Sequence, residues 1–212
     1  MAAYQLNIAF TITQLEAIYA AKQNVTIVKT VEGAESFSWL SFSPFEANGI
    51  NWDESDFFVY GATSTENQGV VINSTITQAV QPGQNYTLEA AGTFSGPTAA
   101  PIGPDGFQVT NQYSSADYLT FGLMQSVTVN GANIANAPTN EQIVLLGQHA
   151  IFRPTTQLII FMASDIPAGQ IVDPTTENGA IGPATNISFN PPTTISLAYD
   201  SASGGFSQVS AG

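Results

Sequence analysis

Polar and apolar residues alternate with a period of two along most of the chain, in many short runs. These runs are rich in Val, Ile, Thr, Phe and Tyr, and clusters of Gly, Pro, Asn and Asp bound them. That pattern predicts strands over roughly 4–11, 24–31, 36–43, 56–62, 69–79, 84–94, 106–112, 118–129, 132–135, 141–152, 157–163, 186–190, 193–199 and 205–209. Asn130-Gly131, between VTV and ANI, is a two-residue hairpin signal. Gln81-Pro82-Gly83-Gln84 turns between two alternating strands, and the stretch from Asp200 to Gly205 reads as a terminal hairpin loop.

One segment changes period. Thr13-Gln14-Leu15-Glu16 has the form of a capping box, with Thr13 as N-cap and Glu16 at N3. Leu15, Ile18 and Tyr19 then share a face, and Lys22 suits the negative end of the helix dipole. Many short strands, frequent turns and one helix predict an all-β fold, an antiparallel β-sandwich of jelly-roll or Greek-key type with one short N-terminal helix. No repeat or linker divides the chain, so residues 1–212 are expected to form a single domain. The Pro/Gly-rich stretches 95–106 and 166–183 are too long for tight hairpins and are candidates for a binding rim or subunit contacts.

Composition narrows the chemistry. The chain has 212 residues, 16 acidic and 3 basic, for a formal net charge of -13, and only 9% of its residues are charged. About 25% is usual, so the acidity reflects missing cations rather than crowded carboxylates. With Lys22, Lys29 and Arg153 alone to meet phosphates, no nucleic-acid partner is expected. The absence of cysteine removes disulfides, thiolate nucleophiles and Cys-type zinc sites. The N-terminus lacks a basic region and a long apolar run, so neither a secretory signal nor a transmembrane segment is expected. The expected location is the cytoplasm, or outside the cell after release without a signal peptide. The sequons at Asn24, Asn73, Asn85 and Asn186 matter only in a secretory pathway.

Catalytic constellations are sparse. His149, the single histidine, lies four residues before Arg153 and has no G-x-S-x-G elbow to serve. Arg153, the sole guanidinium, suits one carboxylate pair or an interface. No phosphate-cradling glycine loop is present. Asp117, Glu141 and Asp173 have no spacing that pairs them with another carboxylate for glycoside hydrolysis. The densest acidic cluster is Asp53, Glu54 and Asp56 beside Trp52, and alternation places Glu54 and Asp56 on one side. Carboxylates beside an aromatic ring fit a sugar-hydroxyl site, or a calcium site without EF-hand spacing. Tyr113 and Asp117, near the first long loop, offer a second aromatic and carboxylate pair. Most aromatics between Phe37 and Tyr60 are expected in the core.

These features predict a non-enzymatic binding protein that recognises neutral carbohydrate through loops of a β-sandwich, in lectin-like fashion. The expected ligand-binding residues are Trp52, Asp53, Glu54, Asp56, Tyr113 and Asp117. No cofactor is expected, calcium being the one metal the oxygen ligands suit. The expected partners are a glycan and further copies of the chain, as a homo-oligomer. One alternative is a self-assembling structural or storage protein. The other is a membrane-active pore-forming toxin, inserting the Ser/Thr-rich amphipathic hairpin 69–94. In overall make-up, cysteine-free and rich in Asn, Gln and Thr, the chain resembles cytosolic lectin-like proteins.

Overall fold

A computed structural model of the chain describes residues 3–32, 34–63, 71, 75–172, 180–190 and 193–209. Much of the strand expected over 69–79, with the sequon at Asn73, lies outside the described residues. So does part of the second long loop, with Asp173.

The described residues form fifteen strands and one helix. In chain order they are β1 (Ala3–Ala9), α1 (Ile12–Ala20), β2 (Asn24–Glu32), β3 (Glu35–Phe42), β4 (Ala47–Ala62), β5 (Ile76–Val80), β6 (Gln84–Leu88) and β7 (Phe94–Ala99). There follow β8 (Phe107–Asn111), β9 (Tyr118–Val129), β10 (Ala132–Pro138), β11 (Asn140–Leu145), β12 (His149–Ala163), β13 (Ala180–Ser188), β14 (Thr194–Asp200) and β15 (Gly205–Gln208).

The protein is all-β, as the alternation predicts. Its strands are hydrogen-bonded into one open sheet, ordered β15-β14-β1-β4-β9-β11-β3-β2-β12-β8-β6-β7, with β10 on β9, β13 on β12 and β5 on β4. Most pairs are antiparallel, but β1 runs parallel to β14 and β6 parallel to β8. Two long, irregular strands carry the hydrogen bonding around. β4 slips register against β9 between Trp52 and Phe57. β12 slips against β2 between Pro154 and Leu158, pairing with β8 before the slip and with β13 after it. A strand that changes partners at a bulge turns a corner without breaking the sheet.

Four strands, β2, β4, β9 and β12, thread two hydrophobic cores. One core gathers Ile27, Trp39, Trp52, Val127 and Ile160 with Leu15 and Ile18 of the helix. The other gathers Val31, Phe57, Leu123, Phe107 and Phe152. The alternation of β2 places Ile27, Lys29 and Val31 on one side, and that of β9 does the same for Leu123, Gln125 and Val127. Lys29 and Gln125 therefore stand inside the protein, at the seam between the cores.

The helix starts two residues earlier than the Thr13–Glu16 frame predicts. Thr11 is the N-cap, its hydroxyl accepting from Gln14 N (3.3 Å) while the Gln14 side chain accepts from Thr11 N (2.8 Å). TITQ and TQLE both satisfy the capping-box pattern. Tertiary structure selects the first, because Gln14 Nε2 also donates to Tyr199 O (3.0 Å) in β14. Thr11→Ala should therefore lower stability by about 1 kcal/mol. Thr13→Ala should change it by less than about 0.5 kcal/mol. Urea unfolding of both variants checks the frame.

Candidate functional site

The register slips in β4 and β12 open a cleft of about 610 Å³ at the seam. Its polar wall comes from the β12 bulge and the end of β13, through Thr155, Thr156, Gln157, Ser188 and Asn190. Tyr4, Phe57 and Phe107 supply apolar surface, and Glu32, Asp105 and Arg153 supply charge. The bulge is held in shape by the Thr155 hydroxyl, which bonds the Thr30 hydroxyl, donates to Thr30 O (3.1 Å) and accepts from Gln157 N (3.2 Å). Arg153 lies opposite Glu32 in the β2–β12 register, and its Nη2 donates to Ile102 O (3.3 Å), drawing the 101–106 loop to the rim.

Glu54 lines this cleft and links it to the interior. Its Oε1 accepts from Lys29 Nζ (2.5 Å) and from Trp52 Nε1 (2.6 Å). Lys29 is only 1% exposed, against 19% for Glu54. The same ammonium donates to Gln125 Oε1 (2.6 Å), and Gln125 Nε2 donates to Asp53 O (2.9 Å). Aromatic rings close the box, with Nζ 5.4 Å from the ring centroid of Trp39, 5.7 Å from Trp52 and 5.2 Å from Phe57. Burial pushes the Lys29 ammonium below the ordinary lysine value, and the Glu54 carboxylate opposes it. On the cleft rim, burial and then the Glu54 charge raise the Tyr4 phenol.

The residues expected to bind ligand are dispersed by this arrangement. Trp52 is buried, stacked on Tyr4 at 5.6 Å and meeting Trp39 and Phe189 edge-on, so its ring faces are occupied by protein. Asp53 accepts from Ser55 N and Oγ, and the Ser55 bonds hold its carboxyl below the usual range. The slip in β4 breaks the alternation, so Glu54 turns toward Lys29 and Asp56 is exposed. Tyr113 and Asp117 belong to the loop between β8 and β9 and do not line the cleft. Tyr113 is half-buried beside Gly92, and Asp117 O accepts from Leu146 N. His149 is exposed on β12. Among the described residues, no group of three His, Cys, Asp or Glu is placed to hold a metal ion, and no helix is long and apolar enough to cross a membrane.

No protein-family model, curated protein or solved structure matches this chain.

Sequence reasoning that treats Lys29 only as a scarce cation misses its place in the site. The signal is present in the alternation Val25, Ile27, Lys29, Val31, which sets a charged residue on an apolar face. Gln125 between Leu123 and Val127 carries the same signal. A buried cation needs a partner, but nothing local names Glu54, 25 residues away, or Gln125, 96 residues away.

Proposed function

We propose that this protein is a non-catalytic binding protein that takes a neutral carbohydrate into the seam cleft, on a β-sandwich scaffold. The carrying observation is the lining: hydroxyl- and amide-bearing Thr155, Thr156, Gln157, Ser188 and Asn190 share the cleft with the aromatic residues Tyr4, Phe57 and Phe107. Sugars present that same division, hydroxyls at the ring edge and C–H groups on its faces. A cleft of about 610 Å³ falls in the range of small-ligand sites. Glu32 and Asp105 accept from hydroxyls, and Arg153 donates to them. Two hydrophobic cores shared among the strands of one continuous sheet support the sandwich description.

A glycan array run with and without calcium tests the reading, and no binder above background in either condition removes it. For a sugar that binds, Gln157→Ala and Asn190→Ala should each weaken affinity about tenfold, the scale of one lost polar contact. Titration calorimetry reads this out. Unchanged affinity in both variants would place the sugar elsewhere.

Self-assembly is a second reading, favoured by an exposed apolar patch. Tyr118 and Leu145 are register partners at the end of the β9–β11 ladder, 41% and 47% exposed, with Leu146 next to them at 44%. Light scattering distinguishes the readings, since a strict monomer at neutral pH and near the isoelectric point counts against assembly.

A further inference from the structure

We propose that Lys29 and Gln125 join through an internal amide bond, formed by the folded chain itself with Glu54 as the base. Three chemical requirements meet at the seam. An amine lies against a carboxamide, with Lys29 Nζ 2.6 Å from Gln125 Oε1. A carboxylate lies against the amine, with Glu54 Oε1 2.5 Å from Nζ. Water is excluded, Lys29 being 1% exposed and Gln125 fully buried.

The reaction needs no outside reagent. Glu54 takes a proton from the Lys29 ammonium, leaving a neutral amine. The amine lone pair adds to Cδ of Gln125, and the C=O π electrons move to Oε1. The proton held by Glu54 passes to Nε2, and Glu54 removes the surplus proton from Nζ. The Cδ–Nε2 bond then breaks with its electron pair, ammonia leaves, and the carbonyl reforms as an amide between Nζ and Cδ. One amide replaces another, so the release of ammonia drives the exchange.

The surroundings hold each reactant in place. Trp52 Nε1 anchors the Glu54 carboxylate, and Asp53 O anchors the Gln125 carboxamide through Nε2. Positioning of this kind replaces the entropy cost of a bimolecular encounter. Burial lowers the Lys29 pKa, favouring the neutral amine that attack requires. Glu54 borders the cleft, which gives ammonia a way out. β2 and β9 are not hydrogen-bonded neighbours, since β11 and β3 stand between them. The bond would tie strands 96 residues apart in a chain that has no cysteine.

Intact-mass spectrometry of the purified full chain tests this. The wild-type mass is expected about 17 Da, one ammonia, below the sequence value with or without the initiator methionine. A peptic digest should contain peptides joined between Lys29 and Gln125. Glu54→Gln and Lys29→Arg should both show their full calculated masses. A wild-type chain at its full calculated mass overturns the proposal, whatever the variants do. So does a loss of about 18 Da with Lys29 joined to Glu54, which would be condensation with loss of water.

Discussion

Replacing Glu54 with alanine is expected to leave the fold about 3–5 kcal/mol less stable than replacing Lys29 with methionine, because both variants lack the Lys29–Gln125 amide and only the first keeps a buried ammonium without its counter-charge. Lys29 would then face Trp39, Trp52 and Phe57 with only the Gln125 carbonyl as a polar partner. Lys29→Met removes the ammonium rather than stranding it, since methionine is apolar and of similar length. In that variant the carboxylate keeps the Trp52 indole N–H and its access to the cleft. This asymmetry separates a buried cation from an ordinary surface ion pair, for which both truncations would be small.

The Glu54→Ala deficit should also depend on pH, with a definite sign. Burial lowers the Lys29 pKa, and the variant has lost the carboxylate that opposes this shift. Between the lowered folded value and the ordinary 10.5, the unfolded chain binds the additional proton. Stability of the variant therefore rises with pH through that window, and the deficit is full below the folded value. Urea midpoints of Glu54→Ala and Lys29→Met should converge as pH climbs from neutral toward about 10. A constant gap would contradict the buried-cation account.

Gly122→Ala should be at least as damaging, for a steric reason. A Cβ at position 122 would lie 1.9 Å from Asn140 O and 2.7 Å from both Cε1 and the hydroxyl oxygen of Tyr60. Neither neighbour is free to retreat. Tyr60 is buried and donates to Asn140 O (2.9 Å), while Asn140 Oδ1 accepts from Leu123 N (3.0 Å). The clash falls on backbone in the middle of β9, which pairs with both β4 and β11. The expected cost exceeds about 3 kcal/mol, the upper end for overpacking, and most of the protein should be recovered unfolded or aggregated. Gly49→Ala is the control, since its Cβ would meet only Asn51 Nδ2, at 4.0 Å. Its urea midpoint should stay close to wild type, and a comparable loss there would point to strand glycine in general.

How much of this was readable beforehand varies with the range of the force involved. β9 occupies the span its alternation predicts, and Asn130 and Gly131 turn it into β10 with φ of 51° and 83°. Both signals are local. The run 141–152 is divided into β11 and β12 because Leu146-Gly147-Gln148 forms a turn, with Gly147 at φ 81°. The first half of β4, with Asn48, Gly49, Asp53 and Ser55, has weak strand propensity and is held by pairing with β1 and β9. β7 reads as loop because of Gly96 and Pro97, and β6 secures it. The aromatics between Phe37 and Tyr60 are mostly internal, as packing demands, with Phe45 the exposed one at 59%. The site itself needed two bulges to align across the sheet. That depends on partner choice at long range, which alternation does not encode.

The depth of Lys29 also bears on how the folded chain meets proteases. Trypsin cuts after lysine and arginine, and this sequence offers three such positions. Arg153 is followed by Pro154, which blocks the cut chemically. Lys29 sits inside a paired strand with almost no exposed surface. Only Lys22, exposed in the turn after the helix, is presented to the enzyme. Cleavage there would leave a short N-terminal piece still held through β1 pairing with β4 and β14. In its folded state the protein is thus close to inert toward a protease that would cut an average chain of this length many times.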